Sequence, residues 1–357
     1  MNNFSKKIGL ETMIPLILII LLFSYFISYN QLRKKILIVH SYYKDYSWVI
    51  DLNDGLSSVL NNQDSLKIEY YYMDTKRDTD ERHKEREGIE VRRLIDSLQP
   101  DVVIAFDDDA QNYVTQYYLN NPSISFVFSG VNGEPNDYNF HKASNVTGIL
   151  ERLPMQATHD AIIEIAKRKN LPFPVRAQHI SSSNLVTVKL NDESLRNYKN
   201  WEEVKIVPSR LVSTFSEWKK AILDAQQNAD FILISNCREI THSEINNTLV
   251  PSTEIMKWTL ANTQIPVIGL NNFIVDEGAP LAISPSGYEQ GAVAARMALK
   301  IIYDNIPANK IPVYVPKQFI VSMNPKLMEK FSMKLPEIYH AFARVAQKHL
   351  SEMEETP

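Results

Sequence analysis

Length, composition and charge narrow the classes of protein to which the chain can belong. Its 357 residues, 44% of them hydrophobic and 22% charged, suffice for two globular lobes and exclude a disordered or fibrous chain. The formal net charge of -4 at pH 7 offers nucleic acid no general attraction, so no nucleic-acid partner is expected. Cys237 is the single cysteine, which rules out a disulfide within the chain.

An apolar run at 13–29 follows Lys6 and Lys7 near the amino terminus. At about 1.5 Å per residue, roughly 17 helical residues reach about 25 Å, near the lower limit for crossing a bilayer. The run is followed by no small-x-small cleavage site and contains no cysteine for lipid attachment, which favours an uncleaved anchor over a removed signal peptide. Segment 1–34 is therefore predicted to be a transmembrane or signal helix.

Beyond this segment, short β-rich apolar runs alternate with helical patterns, which is typical of βαβ units and a parallel sheet. The first series of strands is predicted at 35–40, 66–73, 102–106, 124–128 and 145–149, with helices at 49–60, 79–98 and 110–119. Asp45 or Ser47 is expected to cap the first of these helices, and one of the three acids at 107–109 the last. The series predicts one doubly wound lobe.

A second series begins with a helix after Gly148. Its strands are predicted at 176–180, 204–207, 230–235, 266–269 and 281–284, and its clearest helix at 214–227. A helix at 288–303, an extended return at 314–321 and a polar helical tail follow. The predicted division is 35–147 plus 284–305 for lobe 1, 148–283 plus 306–330 for lobe 2, and 331–357 for the tail.

Motifs of known catalytic sites are missing from the sequence. The patterns GxxxxGK[ST], GxGxxG, HExxH and GxSxG do not occur, and the eight histidines lack the spacing of metal ligands. No nucleophile can be paired with a base from the sequence. The chain is therefore predicted not to be an enzyme and to need neither a metal nor a cofactor.

Polar and aromatic residues follow the predicted strands of lobe 1, at the sheet edge where open parallel sheets bind ligands. The candidate ligand-binding residues are Ser41, Tyr42, Tyr43, Trp48, Asp107, Asp108, Ser129 and Asn132. Three adjacent acids exceed what helix capping needs, and a ligand amine would relieve their repulsion. The alternatives are aromatic packing at the lobe edge, simple capping, and a tight turn that needs only the glycines at 130 and 133.

The second lobe offers a matching set of residues after its strands. Asn236, Arg238, Asn271 and Phe273 are candidates for the opposing wall, and Tyr288 completes the predicted ligand-binding set. Arg238 could hold a carboxylate with its planar guanidinium group. A surface ion pair with Glu239 or Glu244 is the alternative for this arginine.

Six segments resemble, in order, the ABC-transporter substrate-binding-like family. They are HSYYKDYSW, YYMDTKRD, DVVIAFDDDA, FVFSGVNG, NVTGILE and SGYEQGAVAARMALKII, and the resemblance extends from Ile36 to about Met328. It is closest to the branch found as extracytoplasmic sensor domains ahead of histidine kinases and diguanylate cyclases. The family implies a type I periplasmic-binding fold, in which two Rossmann-like lobes joined by a three-segment hinge close on a ligand.

These observations together predict an extracytoplasmic solute-binding protein that is tethered to the inner membrane by its amino-terminal helix. It would close on a small polar ligand, such as an amino acid or an amine, and present the closed form to a membrane partner. That partner is either a transporter permease or a separate sensor kinase or cyclase. A scaffold subunit with a vestigial cleft and, further off, an enzyme on the same fold are the alternatives.

Overall fold

The computed structural model describes residues 15, 18–22, 33–183 and 186–341. Most of the predicted membrane helix and the tail beyond 341 lie outside these residues. Among the helices that are described, none is both long enough and apolar enough to cross a membrane.

In the described chain, the first sheet has five parallel strands in the order β2-β1-β3-β4-β5. The strands are β1 (Lys34–His40), β2 (Leu66–Tyr72), β3 (Val102–Phe106), β4 (Ser125–Val131) and β5 (Val146–Leu150). The helices α1 (Ser47–Leu60), α2 (Glu81–Leu98) and α3 (Asp107–Tyr113) follow β1, β2 and β3. This order places the switch point of the sheet, where ligands bind in such folds, between the ends of β1 and β3.

The central strands of this sheet are buried on both faces. Ile36 and Ile38 of β1 belong to one apolar cluster, while Leu37 and Val39 belong to another, because successive side chains of a strand point to opposite faces. Parallel strands covered on both faces have continuous apolar sequences. The run ILIV was recognisable as a strand for this reason.

The second sheet repeats the same order with one added edge strand, as β11-β10-β9-β8-β6-β7, and only β11 runs antiparallel among its described strands. Its strands are β6 (Val175–Ser182), β7 (Val204–Val212), β8 (Phe231–Ile234), β9 (Val267–Gly269), β10 (Leu281–Pro285) and β11 (Phe319–Met323). The helices are α4 (Met155–Arg168), α5 (Val186–Asn197), α6 (Phe215–Asn228), α7 (Ser252–Asn262), α8 (Phe273–Asp276), α9 (Gly287–Tyr303) and α10 (Pro325–Lys330). The predicted α/β fold with two doubly wound lobes is confirmed.

The chain passes between the two sheets three times in its described part. It leaves the first sheet after β5 and enters α4, which packs in the core of the second sheet. It returns from β10 into α9, whose Val293 and Ala294 lie in a core cluster of the first sheet. Tyr314 then forms a bridge with Ile149 of β5 before the chain continues into β11. These passages form the hinge of a two-lobed protein.

Helix α9 lies unusually close to α1 on the first lobe. A Cβ atom at Gly291 would collide with the carbonyl oxygen of Leu52, and one at Gly55 with that of Tyr288. Glycine at both positions therefore allows the two helices to touch along their backbones. This contact fixes the start of α9, and with it the second passage, against the first lobe.

Several local predictions were wrong. Helix α1 begins at Ser47 and follows Tyr46, which makes no side-chain capping bond, so neither Asp45 nor Ser47 is a cap. Helix α3 contains all three acids in its first turn rather than beginning after them, and its cap position is Phe106. The helix dipole favours negative charge in a first turn, but burial opposes the ionisation of Asp107.

The carboxyl-terminal segments also differ from the prediction. The extended return at 314–321 contains a strand only from Phe319, apart from the single bridge at Tyr314. The segment predicted as a polar tail begins with three buried apolar side chains, Phe331, Met333 and Leu335, which pack in the core of the second lobe. Apolar residues at every second position were the signal for this packing.

Candidate functional site

The carboxyl ends of the strands in the two lobes face each other across a cleft with about 860 Å³ of empty space, part of it open to solvent. Lobe 1 contributes Tyr42, Tyr46, Ser47, Trp48, Lys76, Asp107, Asn132 and Glu151 to its walls. Lobe 2 contributes Thr187, Val188, Asn191, Ser235, Asn236, Arg238, Glu239, Asn271, Asn272 and Phe273. Ser284 and Pro285, at the end of β10, complete the lining near the second passage.

The structure brings eight of the thirteen predicted ligand-binding residues together in this cleft. They are Tyr42, Trp48, Asp107, Asn132, Asn236, Arg238, Asn271 and Phe273. The other five, Ser41, Tyr43, Asp108, Ser129 and Tyr288, are not part of its lining. Whether the eight contact a ligand stays a prediction.

Asp107 is the most distinctive group in the lobe 1 wall. Its side chain is buried, and Oδ1 accepts a hydrogen bond of 2.9 Å from Nε1 of Trp48. Its other oxygen, Oδ2, is buried without a hydrogen-bond partner among the described residues. Burial, together with the nearby charge of Glu151, raises the pKa of Asp107 well above its usual range. A cationic group would stabilise the ionised form of this carboxyl.

The backbone next to Asp107 is shaped to fit that carboxyl. Gly130, near the end of β4, has φ +67, and a Cβ atom there would lie 2.8 Å from Oδ1 of Asp107. Gln290 of α9 fixes this turn, because its Oε1 accepts hydrogen bonds of 2.9 Å from Ser129 Oγ and Gly130 N. Ser129 is therefore a buried structural residue rather than part of the cleft wall.

Asp108 has its carboxylate turned away from the cleft. Its oxygens accept hydrogen bonds from the Tyr138 hydroxyl and from the backbone N–H groups of Asn132 and Gly133. The role of Asp108 is thus to hold the loop after β4, which carries Asn132 into the cleft. Asp107 and Asp108 therefore have different roles, although they are adjacent in one helical turn.

The other predicted residues outside the lining have local partners. The Ser41 hydroxyl donates to the Phe106 carbonyl at 2.7 Å and accepts from the Ala110 N–H at 2.9 Å, which ties the loop after β1 to helix α3. Tyr43 lies under the guanidinium group of Arg77 at the surface. Tyr288 is 46% exposed and does not reach the cleft.

Three charged residues of the cleft, Lys76, Glu151 and Glu239, were not among the predicted ligand-binding residues. Glu151 follows β5 directly and accepts a hydrogen bond of 3.3 Å from Nδ2 of Asn132. Burial and the nearby charge of Asp108 raise the pKa of Glu151 to about 8. Its position after a strand was a usable signal, whereas Lys76 comes four residues after β2 and offered none.

Lys76 reaches the cleft because the preceding residue is held by the loop after β1. Both the N–H and the hydroxyl of Thr75 donate to the Ser41 carbonyl at 2.9 Å. The Lys76 ammonium group lies 5.1 Å from the ring centroid of Tyr42, and no carboxylate of the described residues is within ion-pair distance of it. Burial lowers its pKa, although Glu239 and Asp107 oppose that change.

Arg238 is held by partners that the sequence did not suggest. Its Nε forms an ion pair with Glu277, which is buried, and its guanidinium group stacks on the Phe273 ring at 4.0 Å. Glu277 also accepts a hydrogen bond from the Cys237 thiol. Arg238 Nη1 lies 3.4 Å from the Tyr46 hydroxyl of the opposite lobe. The alternative pairing with Glu239 or Glu244 is wrong.

The amides of Asn236 and Asn271 have defined orientations. Asn236 Oδ1 accepts from the Arg238 N–H at 2.7 Å, and Asn271 Nδ2 donates to the Ser235 carbonyl at 2.8 Å. A backbone N–H can only donate a hydrogen bond and a backbone carbonyl can only accept one. These partners therefore identify which amide atom is the oxygen and which is the nitrogen. Among the described hydrogen bonds, Asn236 keeps its amide donor and Asn271 its amide acceptor for another partner.

A buried polar network supports these amides from below. His179 of β6 bonds to Asp192 of α5 at Nδ1, 3.0 Å, and to the Ser235 hydroxyl at Nε2, 2.9 Å. Ser235 is also 2.9 Å from the Ser181 hydroxyl. A serine next to a histidine and an aspartate was not expected from the sequence. Ser235 and His179 both have 0% exposure, so the network is suited to support the wall of the cleft rather than to attack a substrate.

The chain belongs to a known family of binding proteins. Residues 54–346 match the family model described as ABC transporter substrate binding protein. The resemblance predicted from the sequence is therefore confirmed, and the chain is a member of this family. Among curated protein sequences, no relative matches the chain.

Solved structures agree on the fold at low sequence identity. A ligand-free, open substrate binding protein with adhesive properties, CD0873 from Clostridium difficile, is 16% identical with a TM-score of 0.63, over 85% of this chain and 96% of that one. An ABC domain in complex with L-Trp from Streptococcus pneumonia is 14% identical with a TM-score of 0.59, over 87% and 99%.

A third similar structure is an arabinose binding protein from Geobacillus stearothermophilus, 10% identical with a TM-score of 0.55, over 83% of this chain and 98% of that one. Two of these proteins bind an amino acid and a sugar, respectively. At such identities the likeness shows the shared fold alone. The ligand of this chain has to be inferred from its own cleft.

Proposed function

We propose that the protein is an extracytoplasmic solute-binding protein of an ABC transporter that closes on a small solute bearing a protonated amine. The observation that carries this proposal is the buried Asp107 carboxylate, whose Oδ2 has no partner among the described residues. An ammonium group would supply the missing hydrogen bond and the opposite charge. Glu151 in the same wall adds to the preference for a cation.

The two lobes have different parts in this binding. Lobe 1 holds the acids and the rings of Tyr42, Tyr46 and Trp48, while lobe 2 offers the amides of Asn236 and Asn271. A solute that touches both walls binds the closed form better than the open one, and this difference in affinity shifts the population toward closure. The closed form is what a partner would recognise.

The family supports a transporter permease as that partner, and delivery of the solute as the outcome. A tether at 13–29 and sensing through a separate kinase or cyclase stay predictions. A scaffold subunit with a vestigial cleft would have no reason to keep an unpartnered acid in the cleft wall. The cleft therefore favours binding over a purely structural role.

A thermal-shift screen of the full chain tests the proposal. The compounds are primary amines, amino acids, sugars, nucleosides and organic acids, each at several concentrations. A solute at 100 times its Kd adds about 2.7 kcal/mol to the free energy of unfolding. We expect stabilisation by members of the amine-bearing groups. Stabilisation by sugars or organic acids alone would contradict the proposed amine.

A further inference from the structure

We infer that the solute carries a net positive charge and is an amine without a carboxylate group. This inference rests on the proposed function and narrows it, because amines and amino acids share the ammonium group but differ in net charge. The observation behind it is the balance of charges in the cleft. Acidic groups there outnumber the cations that remain available to a ligand.

Arg238 does not count as an available cation. Its Nε pairs with Glu277, which has 6% exposure and lies behind it in the lobe 2 wall. Its flat face covers Phe273. A guanidinium group that neutralises a buried carboxylate adds no net charge to the cleft. The arginine and its glutamate together are a neutral pair.

Lys76 is then the cation of the described cleft that has no carboxylate at ion-pair distance. It faces Asp107 and Glu151, two carboxyl groups whose pKa values are both raised. In their ionised forms these two carboxyls, with Glu239 in the same lining, carry more negative charge than one lysine balances. Burial opposes that ionisation, and a cationic solute would favour it. A zwitterion adds one positive and one negative charge, so it leaves the excess negative charge of the cleft unchanged. A solute with a net positive charge cancels that excess.

The lobe 2 wall offers a solute neutral amides, while its lining arginine is paired with a buried carboxylate. Asn271 donates one of its two amide N–H groups to the Ser235 carbonyl and keeps the other, together with its acceptor oxygen. Asn236 keeps both N–H groups, because only its oxygen is used. A donor beside an acceptor suits a hydroxyl, amide or heterocyclic group on the solute. The faces of the aromatic rings in lobe 1 suit contact with a cation.

Matched pairs of solutes test the inference by isothermal titration with the full chain. The pairs are tryptamine and tryptophan, tyramine and tyrosine, and cadaverine and lysine. In at least one pair we expect the amine to bind ten-fold or more tightly than its amino acid. The methyl ester of that amino acid should regain most of the affinity, because it lacks the negative charge but keeps the size.

An amino acid that binds as tightly as its amine, or more tightly, would overturn this inference and leave the proposed function standing. If no member of any pair binds while a neutral solute stabilises the chain, the amine itself is wrong, and both proposals fall. The two failures are thereby separated.

Lys76→Met provides a second, independent test. If the solute is a net cation, removing this like charge should raise the affinity of the amine by a few fold. If Lys76 holds a carboxylate, the affinity of the matching amino acid should fall in this variant, and the inference would be wrong. Lys44→Met is the matched control, because Lys44 is an exposed lysine of the loop after β1 that does not line the cleft.

Discussion

The two lobes share one arrangement at their binding edges but carry different polar side chains there. In each lobe a serine at the carboxyl end of the first strand bonds to the backbone at the end of the third strand in chain order. Ser41 donates to Phe106 O and accepts from Ala110 N, while Ser181 donates to Asn236 O and accepts from Asn236 N. The scaffold of the two binding edges is therefore equivalent.

The difference lies in the polar group beside each serine. In lobe 1 that group is Asp107, with one buried oxygen unpartnered among the described residues. In lobe 2 it is Ser235, whose hydroxyl lies at hydrogen-bond distance from both His179 and Ser181. Buried polar groups normally have partners, so Ser235 is satisfied without a ligand and Asp107 is not.

This contrast indicates an order of events. A solute gains most by binding lobe 1 first, because it supplies what Asp107 lacks. Lobe 2 then closes over the bound solute with the amides of Asn236 and Asn271. Function is thus concentrated where the structure departs from full hydrogen bonding, and stability where it does not.

The largest expected effect is on the complete network of lobe 2. Replacing His179 with alanine leaves Asp192 and Ser235 without their buried partner and opens a cavity, and should lower the free energy of unfolding by about 3 kcal/mol. Chemical denaturation measures this change. His141→Ala, at an exposed histidine, should cost less than about 0.5 kcal/mol. Equal losses in the two variants would remove the proposed role of the network.

Asp107→Asn should weaken ligand binding without lowering stability. Loss of the charge should weaken binding of an amine by about 10 to 100 fold, the equivalent of a hydrogen bond to a charged group. The free energy of unfolding should not fall, because asparagine keeps an oxygen for the Trp48 N–H and removes an acid whose ionisation is opposed by burial. Titration and denaturation of the same preparation give both values.

Asp108→Asn is the matched control for Asp107. Its carboxylate holds Tyr138 and the loop after β4, so this variant should lose about 1 kcal/mol of stability and keep most of its affinity. From the sequence alone, either substitution is expected to weaken binding. An affinity loss at Asp108 larger than at Asp107 would show that the wrong acid has been assigned to the ligand.

The pH dependence of lobe 1 follows from Glu151. Its pKa is about 8 in the folded chain and has an ordinary value of 4.5, so the folded state holds a proton that the unfolded state loses. This contribution to stability is complete below about pH 4.5 and is lost as the pH rises through 8, with a slope of at most about 1.4 kcal/mol per unit. Binding of an amine should instead strengthen from pH 6 to 8, since a cation favours the ionised carboxyls.

Proton release on binding checks this directly. The groups that face Glu151 are Asp107, Asp108, Lys76 and Arg152, with Asn132 as its hydrogen-bond donor. Titration in buffers of different ionisation enthalpy should show that protons leave when an amine binds at pH 7. Glu151→Gln should reduce this release. Binding enthalpies that do not depend on the buffer would contradict a protonated cleft.

The sequence allowed the fold and about half of the cleft to be predicted. Continuous apolar runs such as ILIV identified the buried strands, and the rule that ligands bind beyond strand ends led to Asp107, Asn132 and Asn236. The same rule also selected Ser129, which is buried because Gln290 of a distant helix reaches it. A position at a strand end is therefore not sufficient for a place in this cleft wall.

The missed residues depend on contacts that no local pattern encodes. Lys76 enters the cleft because Thr75 bonds to Ser41, a residue 34 positions earlier. The network of lobe 2 joins His179 to Ser235 across 56 positions. Arg238 found its partner Glu277 39 positions away, whereas sequence reasoning considered acids close to it in the chain. Such pairings follow from the order of strands, which local patterns do not specify.

The smallest expected effect tests the part of the comparison in which the lobes agree. Ser41→Ala and Ser181→Ala each remove a buried hydroxyl with one donated and one accepted bond to the backbone, so each should cost about 1 to 2 kcal/mol of unfolding free energy. The Ser181 hydroxyl also lies at hydrogen-bond distance from Ser235. The loss of unfolding free energy in Ser181→Ala should therefore be the larger of the two. A large cost at one serine and none at the other, measured by denaturation under identical conditions, would contradict an equivalent scaffold. The two edges would then differ in architecture, and the contrast between Asp107 and Ser235 would no longer be one of side chains alone.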